Sequence, residues 1–337
     1  MNYNDINFNN KTILITGGAG FIGSNLAFYF QKNFPDCHVV VFDSFRNGEA
    51  FSGNHLKSFG HYKNLVNFAG DIICGNINNK DDLNLLNLYN FDYIFHHAAI
   101  SDTRVYDQEL ILKTNVNSFY DILDKGRKDN SVIIYASSAA TYGDLPSPQS
   151  EGHENPVNPY GYSKYVMDQI ARRFAKSNPT MTIVGLRFFN VYGPGEFFKE
   201  KTSSMVIQLA HQILSGNMPR LFKNSDKIFR DFVYVEDAIQ ANIRACNPLK
   251  NGTYNVGTGI PRSFKDIVDI LQKELKTDFA IDYFENPYED YQYHTQADIS
   301  SAYENLGFKP NFSLEQGIKN YLADIKRLFK TRAHDWF

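Results

Sequence analysis

Cysteine is scarce in this chain of 337 residues: Cys37, Cys74 and Cys246 are odd in number and far apart. With no C-x-x-C pair, neither a disulfide framework nor a zinc site is indicated, and a reducing cytoplasm is the expected compartment. A basic excess is lacking too. Lysine and arginine total 34 against 37 acidic residues, a formal net charge of −3, so nothing stands ready to hold a nucleic-acid backbone or a membrane surface. No apolar run reaches the roughly 18 residues of a membrane span, and the Asn-rich start MNYNDINFNNK lacks the apolar core of a signal peptide. The expectation is a soluble, unexported protein with a small-molecule ligand. Apolar residues, at 43%, suffice for a sizeable core, and the length suits two interlocked domains.

Short apolar runs bounded by turn residues recur as TILIT (12–16), VVVF (39–42), YIF (93–95), VIIYA (132–136) and TIVGL (182–186). Their length and Val/Ile content suit strands buried on both faces. Between them lie helical patterns such as FIGSNLAFYFQ and the stretch from near Lys113. The alternation predicts an α/β fold, a doubly wound parallel Rossmann sheet. Beyond about residue 188 the rhythm breaks into YGPGE, a helix over 203–214, a strand RDFVYV and a helix from Asp237. A smaller, interwoven α/β substrate domain is expected there. We assign 1–188, with about 231–258 and 292–306, to cofactor binding, and about 189–230, 259–291 and 307–337 to substrate binding.

In ITGGAGFIG, Gly17, Gly20 and Gly23 follow a strand and open a helix. The first glycine permits a tight turn, the second admits a pyrophosphate to the helix N-terminus, and the third allows close helix packing. Asp43 ends the second strand, where a carboxylate accepts a ribose hydroxyl. Arg46 follows as either a 2′-phosphate partner, favouring NADP over NAD, or a solvated loop residue. Asp71 and Ile72, in a GDI expected to end the third strand, are candidates to flank the adenine. Ala98 and Ala99 end the fourth strand and suit either close approach of a ligand or ordinary packing.

The stretch PYGYSK (159–164) offers two tyrosines. Asn158 and Pro159 read as an N-cap and first helical residue. Tyr162, Val166, Ile170 and Phe174 recur every four residues as an apolar stripe, which assigns Tyr162 to the core. Tyr160 and Lys164 share another row, one turn apart. Bringing a phenol of reference pKa about 10 to neutrality takes about 4 kcal/mol of differential stabilisation. A lysine ammonium, the helix N-terminus and an oxidised nicotinamide all act in that direction, making Tyr160 an acid/base for an alcohol proton. Ser137 and Ser138 end the strand VIIYA, placed either to share the substrate hydroxyl or to form a turn. His96 and His97 are adjacent, point to opposite faces of a strand and have no ligand partner at short spacing, so no metal site is read.

The motifs TGGAGFIG, SSAATYG, YGYSK, FFNVYGP and RDFVYVED, in that order, make the chain resemble the extended short-chain dehydrogenases/reductases acting on nucleotide sugars. FFNVYGPGE followed by a lysine, RLFKNSDKIFRDFVYV and YQYHTQAD are most similar to the ADP-glyceromanno-heptose 6-epimerase branch. The resemblance implies a homo-oligomeric, NADP-dependent isomerase that oxidises an ADP-heptose at C6 and returns the hydride to the other face, supplying heptose for lipopolysaccharide. It implies two proton handlers, Tyr160 and, in GEFFKEK, Lys199. By its residues alone Lys199 is a solvated charge near Glu196, Glu200 and Lys201. By the same matching Ser138 assists the tyrosine and Lys164 orients the cofactor ribose. Phe21, Ile22, Ser44, His97, Ser101, Asn115 and Val191 join the cofactor site, which Lys199 also touches. Asn190 lies between cofactor and substrate. Arg230 is matched to the ADP diphosphate, with Lys201, Gln208, Phe222, Lys223, Asn224, Ser225 and Tyr291 around the ADP-sugar.

The chain departs from the pattern in three places. The segment from Phe51 to Ile77 is longer and leaves a 2′-phosphate lysine unassigned. His97 replaces a frequent acid, and Gln208 stands where histidine is expected. A UDP-galactose 4-epimerase is the alternative, and it needs no base at Lys199. A 4,6-dehydratase is disfavoured by Ala139 and Ala140, where related enzymes carry Asp-Glu. A cofactor-sensing module without catalysis would be expected to lose Tyr160 or Lys164.

Overall fold

The computed structural model describes residues 3, 6–51, 55–286 and 292–335. Seven parallel strands form one sheet: β1 (Thr12–Thr16), β2 (His38–Asp43), β3 (Asp71–Cys74), β4 (Tyr93–His96), β5 (Val132–Ser138), β6 (Ile183–Phe188) and, after three strands that lie outside it, β10 (Gly252–Val256). Their order is β10-β6-β5-β4-β1-β2-β3. The chain reverses its direction of build between β1 and β4, and that switch point opens a crevice at the carboxyl ends of the strands.

Period-two alternation explains the two buried faces. Ile13, Ile15, Val39, Val41, Val184 and Leu186 point to one side, against Leu26, Ala27 and Phe30 of α1 (Phe21–Asn33) and Ala238, Ile239 and Ala241 of α5 (Val235–Arg244). Leu14, Val40, Ile133, Tyr135 and Ile183 point to the other. There they meet Phe119, Ile122 and Leu123 of α2 (Ser118–Asp129) and Met167, Ile170 and Ala171 of α3 (Pro159–Ser177). The helical stretch read from near Lys113 starts earlier, at Gln108, and passes through a π-turn over Lys113–Asn117 before α2.

A second core joins α4 (Met205–Leu214), α6 (Phe264–Leu275) and α7 (Leu314–Asp335) through Val206, Leu209, Ile267, Leu271, Ile318 and Ile325. Two small sheets edge it. One pairs β8 (Arg220–Phe222) with β12 (Asp282–Phe284); the other orders β11 (Pro261–Ser263), β9 (Phe229–Tyr234) and β7 (Asn190–Tyr192). Ile22 and Val191 pack against both large cores and so seal the seam between them. Among the described residues no helix is long and apolar enough to cross a membrane.

Candidate active site

At the switch point the glycine loop meets the end of β4. Gly17 has φ +69°, and a Cβ there would lie 2.7 Å from the Ala98 nitrogen. A Cβ on Gly23 would lie 2.3 Å from the Gly17 oxygen. Both glycines are therefore required by the protein's own packing, Gly17 against the backbone of His97 and Ala98. Gly20 differs. It caps α1 with φ −80°, and its Cβ would approach only the Gly17 oxygen, at 3.1 Å. The helix N-terminus is left uncovered, a cradle that fits a dinucleotide pyrophosphate. The buried Asp43 carboxylate accepts from the Ala19 and Phe45 amides at 2.9 Å each, tying the β2 end to the loop; burial raises its pKa and these bonds oppose the rise.

Other cofactor candidates fall unevenly. Ala99 is half-buried after β4, while Ser101 and Ser44 are exposed. His97 is held by Asn242 at 3.0 Å, and burial pushes its imidazole down to about 4. Asp71 and Ile72 begin β3 rather than end it: Asp71 pairs with Val40 in register, and its carboxylate binds His38 at 2.9 Å and the Tyr89 hydroxyl at 2.8 Å. The strand-end position beside Asp43 belongs to Cys74, followed by Gly75, Asn76 and the buried Ile77. A second G-x-I, at 75–77, was the available signal. Asn115 lies deeper. It has no exposed surface, and its amide bonds Ile100 at both backbone groups and the Ser163 hydroxyl, so it braces the β4 loop from behind.

The Tyr160 side is built on α3. Asn158 caps it, its side chain accepting from the Gly161 amide at 2.8 Å, with Pro159 in the first turn as expected. Of the apolar stripe expected through Tyr162, Ile170 is buried and Val166 and Phe174 pack against the core, but Tyr162 itself lies outside it. Tyr162 is 49% exposed, whereas Tyr160 is 9% and Lys164 2% exposed. The inward face carries Tyr160, Gly161, Ser163, Lys164, Met167, Asp168, Ile170 and Ala171. Its polar members are paired: Ser163 accepts from Asn115, Lys164 donates to Ala136 and Asp168 accepts from Arg187. Burial raises the Tyr160 phenol above its ordinary value, and its hydrogen bond with the Ser138 side chain acts against that rise. The expected lowering by Lys164 is not found here. The Lys164 amine, 5.9 Å from the Tyr160 ring centre, donates instead to the Ala136 carbonyl at 2.8 Å. Burial pushes that amine down to about 8, against the pull of Asp168 one turn away.

Beneath this side lies a network that composition and spacing did not signal. The Asp168 carboxylate accepts from Tyr135 and Ser137 at 3.0 Å and from Arg187 Nη2 at 2.8 Å. Arg187, with no exposed surface, also pairs with Glu154 at 2.7 Å and donates to the Tyr142 hydroxyl at 2.9 Å. β5, β6 and α3 are thereby fastened together directly below Ser138.

The Lys199 side is a short, irregular segment, Phe197–Thr202, whose turns break at Glu200 with φ 52°. The half-buried Lys199 places its amine 5.7 Å from the ring centre of Phe21, the first residue after the glycine loop. Burial lowers the Lys199 pKa, while Glu196 and Asp102 pull it back up. Glu196, seen in the sequence only as a neighbouring charge, has no exposed surface and accepts from the Gly193 amide and the Ser204 hydroxyl. A cavity of about 190 Å³ joins Lys199, Lys201 and Ser203 to Ser101, Asp102 and Arg104 of the β4 loop. Arg46 is not a free phosphate ligand in this structure: it donates to the Glu200 carboxylate at 2.7 Å and to the Phe198 carbonyl.

Of the substrate candidates, Asn190 donates to the Asp231 carbonyl at 3.3 Å, and Gln208 to that of Ser203 at 2.7 Å. Arg230 donates to the carbonyls of Phe229 and Gln292. Phe222 packs edge-on against Phe284, Lys223 pairs with Glu285, Asn224 is exposed and Ser225 is buried. Tyr291 lies outside the described residues.

A glycine-loop cradle beside a Ser-Tyr-Lys cluster suits a nicotinamide dinucleotide and proton transfer at an alcohol. The chain belongs to the NAD dependent epimerase/dehydratase family, whose model matches residues 13–257. It is similar to ADP-L-glycero-D-manno-heptose-6-epimerase from Helicobacter pylori, at 46% identity and a TM-score of 0.87 over 97% of this chain and 99% of that one. UDP-glucose 4-epimerase from Thermotoga maritima is similar at 27% identity and a TM-score of 0.83, covering 94% of this chain and 99% of that one. UDP-glucuronic acid 4-epimerase from Bacillus cereus, solved with UDP-glucuronic acid and NAD, matches at 28% and 0.79 over 94% and 99%.

Proposed function

We propose that the chain interconverts the two C6 epimers of an ADP-glycero-manno-heptose, an activity that would supply heptose for lipopolysaccharide in the cytoplasm. The observation that carries this reading is the pair of proton handlers. Tyr160, with Ser138, stands at the end of β5, and Lys199 stands on a separate loop against Phe21. The 46% likeness to a heptose epimerase supports the choice of sugar.

Inversion at one carbon needs a proton taken in one configuration and delivered in the other. Tyr160, a neutral buried phenol, and Lys199, whose burial favours the neutral amine, suit that division. Ser138 aligns the hydroxyl that Tyr160 serves. A nicotinamide dinucleotide at the glycine loop would supply the hydride acceptor and, when oxidised, a positive charge opposing the burial of Tyr160. NADP is our reading on the strength of Arg46, whose guanidinium would have to be shared between Glu200 and a 2′-phosphate; NAD is the alternative.

Two large cores meeting at Ile22 and Val191 support a division of labour. We assign 1–188, with about 231–258 and 292–306, to the cofactor and the remainder to the ADP-sugar, in a homo-oligomer. Arg230, Lys201, Gln208 and the 222–225 segment are the ADP-sugar residues in this reading. Incubation with ADP-D-glycero-D-manno-heptose, with UDP-galactose as the control, and NMR of the products tests it. Inversion at C6 of the heptose is expected; inversion at C4 of UDP-galactose alone would overturn it.

A further inference from the structure

We propose that Arg46 is a positioning residue for Lys199: its guanidinium grips the backbone before that lysine and the side chain after it, and so sets where the amine stands. The proposal rests on Lys199 being one of the two proton handlers.

The segment carrying Lys199 does not hold itself. It is a run of tight turns, and Glu200 adopts φ 52°, ψ −120°, a left-handed backbone that a residue with a side chain keeps only when its surroundings impose it. Its local bonds are few: the Lys199 amide donates to the Glu196 carbonyl at 2.9 Å, and at the far end the Thr202 hydroxyl donates to the Lys199 carbonyl at 2.7 Å and the Ser203 amide to that of Glu200 at 3.0 Å. Phe198 and the Glu200 side chain are held from across the molecule. Arg46 Nη1 meets Glu200 Oε1 at 2.7 Å, and Nη2 donates to the Phe198 carbonyl. Arg46 is itself pinned, its amide donating to the Gly60 carbonyl at 2.9 Å.

A second tie runs in parallel. Phe198 lies flat on His61, ring centres 3.8 Å apart and planes 4° from parallel, and the His61 amide donates to the Ala19 carbonyl of the glycine loop at 3.1 Å. Asn64 bridges the carbonyls of Ala19 and Gly195 at 3.1 and 3.3 Å. The long segment after β2 is thus a strut between the cofactor loop and the Lys199 loop, and Arg46 is its charged member. Both outer guanidinium nitrogens being engaged, the residue acts on Lys199 whether or not it also meets a phosphate.

The test compares purified, cofactor-loaded R46M and E200Q with the unmodified enzyme. It reads kcat and KM across pH, NADP and NAD retained after gel filtration, and the pH dependence of Lys199 acetylation by acetic anhydride resolved by peptide mass spectrometry. We expect both variants to lose about tenfold to a hundredfold in kcat with KM little changed, the scale of a small misplacement of a reacting group. The Lys199 titration should move up toward the ordinary lysine value of about 10.5, and R46K, keeping one ion pair, should fall between. The proposal is overturned if E200Q keeps both the kcat and the Lys199 titration of the unmodified enzyme while R46M loses only cofactor retention. Failure of the functional reading looks different: K199M would remain an active epimerase, or no heptose would turn over, while Lys199 acetylation in R46M and E200Q still decides whether the guanidinium sets the amine.

Discussion

Tyr160 and Lys199 stand on supports of opposite kind. Tyr160 rides in the first turn of a capped helix whose neighbours are locked by a buried network around Asp168 and Arg187. Lys199 rides on a kinked segment with a left-handed residue beside it, held by Arg46 and His61 from the cofactor half. The first support is part of the core, and the second is tied to the cofactor loop. On the proposed reading, a site that serves both faces of one carbon would join a fixed group to one whose placement depends on the glycine loop.

The largest expected effect treats the two sides alike. If each handles a proton in one configuration, Y160F and K199M should each lower epimerisation by about a hundredfold to ten-thousandfold, the usual worth of general acid–base catalysis. Cofactor should stay bound in both, as read by absorbance after gel filtration. An active K199M enzyme would reduce the comparison to a single working side.

Stability should separate the sides. D168N leaves the Arg187 guanidinium, which has no exposed surface, with Glu154 alone of its two carboxylates, and should cost up to about 3 kcal/mol, the low end for breaking a buried pair. Urea unfolding of D168N against E200Q measures it. E200Q alters a half-exposed loop pair and should cost under about 1 kcal/mol. Equal losses would show that the loop is as much a part of the core as the helix.

A pH experiment sharpens the Tyr160 side further. Lys164 has an ordinary pKa of 10.5 when unfolded and about 8 in the native protein, because burial disfavours its charge. Between those values the unfolded chain binds the extra proton, so the native state gains stability as pH rises from about 8 to 10.5 and loses it as pH falls back through 8. The stability of the unmodified protein minus that of K164M should therefore climb by about 3 kcal/mol across that window. A flat difference would mean that the amine is hydrated in the native state.

How much of this could be read from the residues depends on how local each signal is. The parallel sheet, the glycine turn and the cap at Asn158 follow from contiguous patterns, and each stands where the pattern puts it. Asp71 was misplaced because two similar G-x-I triplets sit five residues apart, and only strand register tells them apart. The pairing of Arg46 with Glu200 spans 154 positions, and nothing in either neighbourhood announces it. Lys199 itself was legible only through the family motif that precedes it.

The smallest expected effect tests the helix that both tyrosines share. Residues two apart on a helix are turned by roughly 200°, so only one of Tyr160 and Tyr162 can face inward. Apolar counting chose Tyr162, because the true inner face is interrupted by Ser163, Lys164 and Asp168. Those polar residues are buried with partners, Ser163 with Asn115, Lys164 with the Ala136 carbonyl and Asp168 with Arg187, and a rule that equates burial with apolarity inverts there. Y162A should therefore change stability by no more than about 0.5 kcal/mol and leave turnover intact, as measured by urea unfolding and the C6 assay. A loss of about 3 kcal/mol, the scale of emptying a buried aromatic site, would restore Tyr162 to the core and turn the helix around.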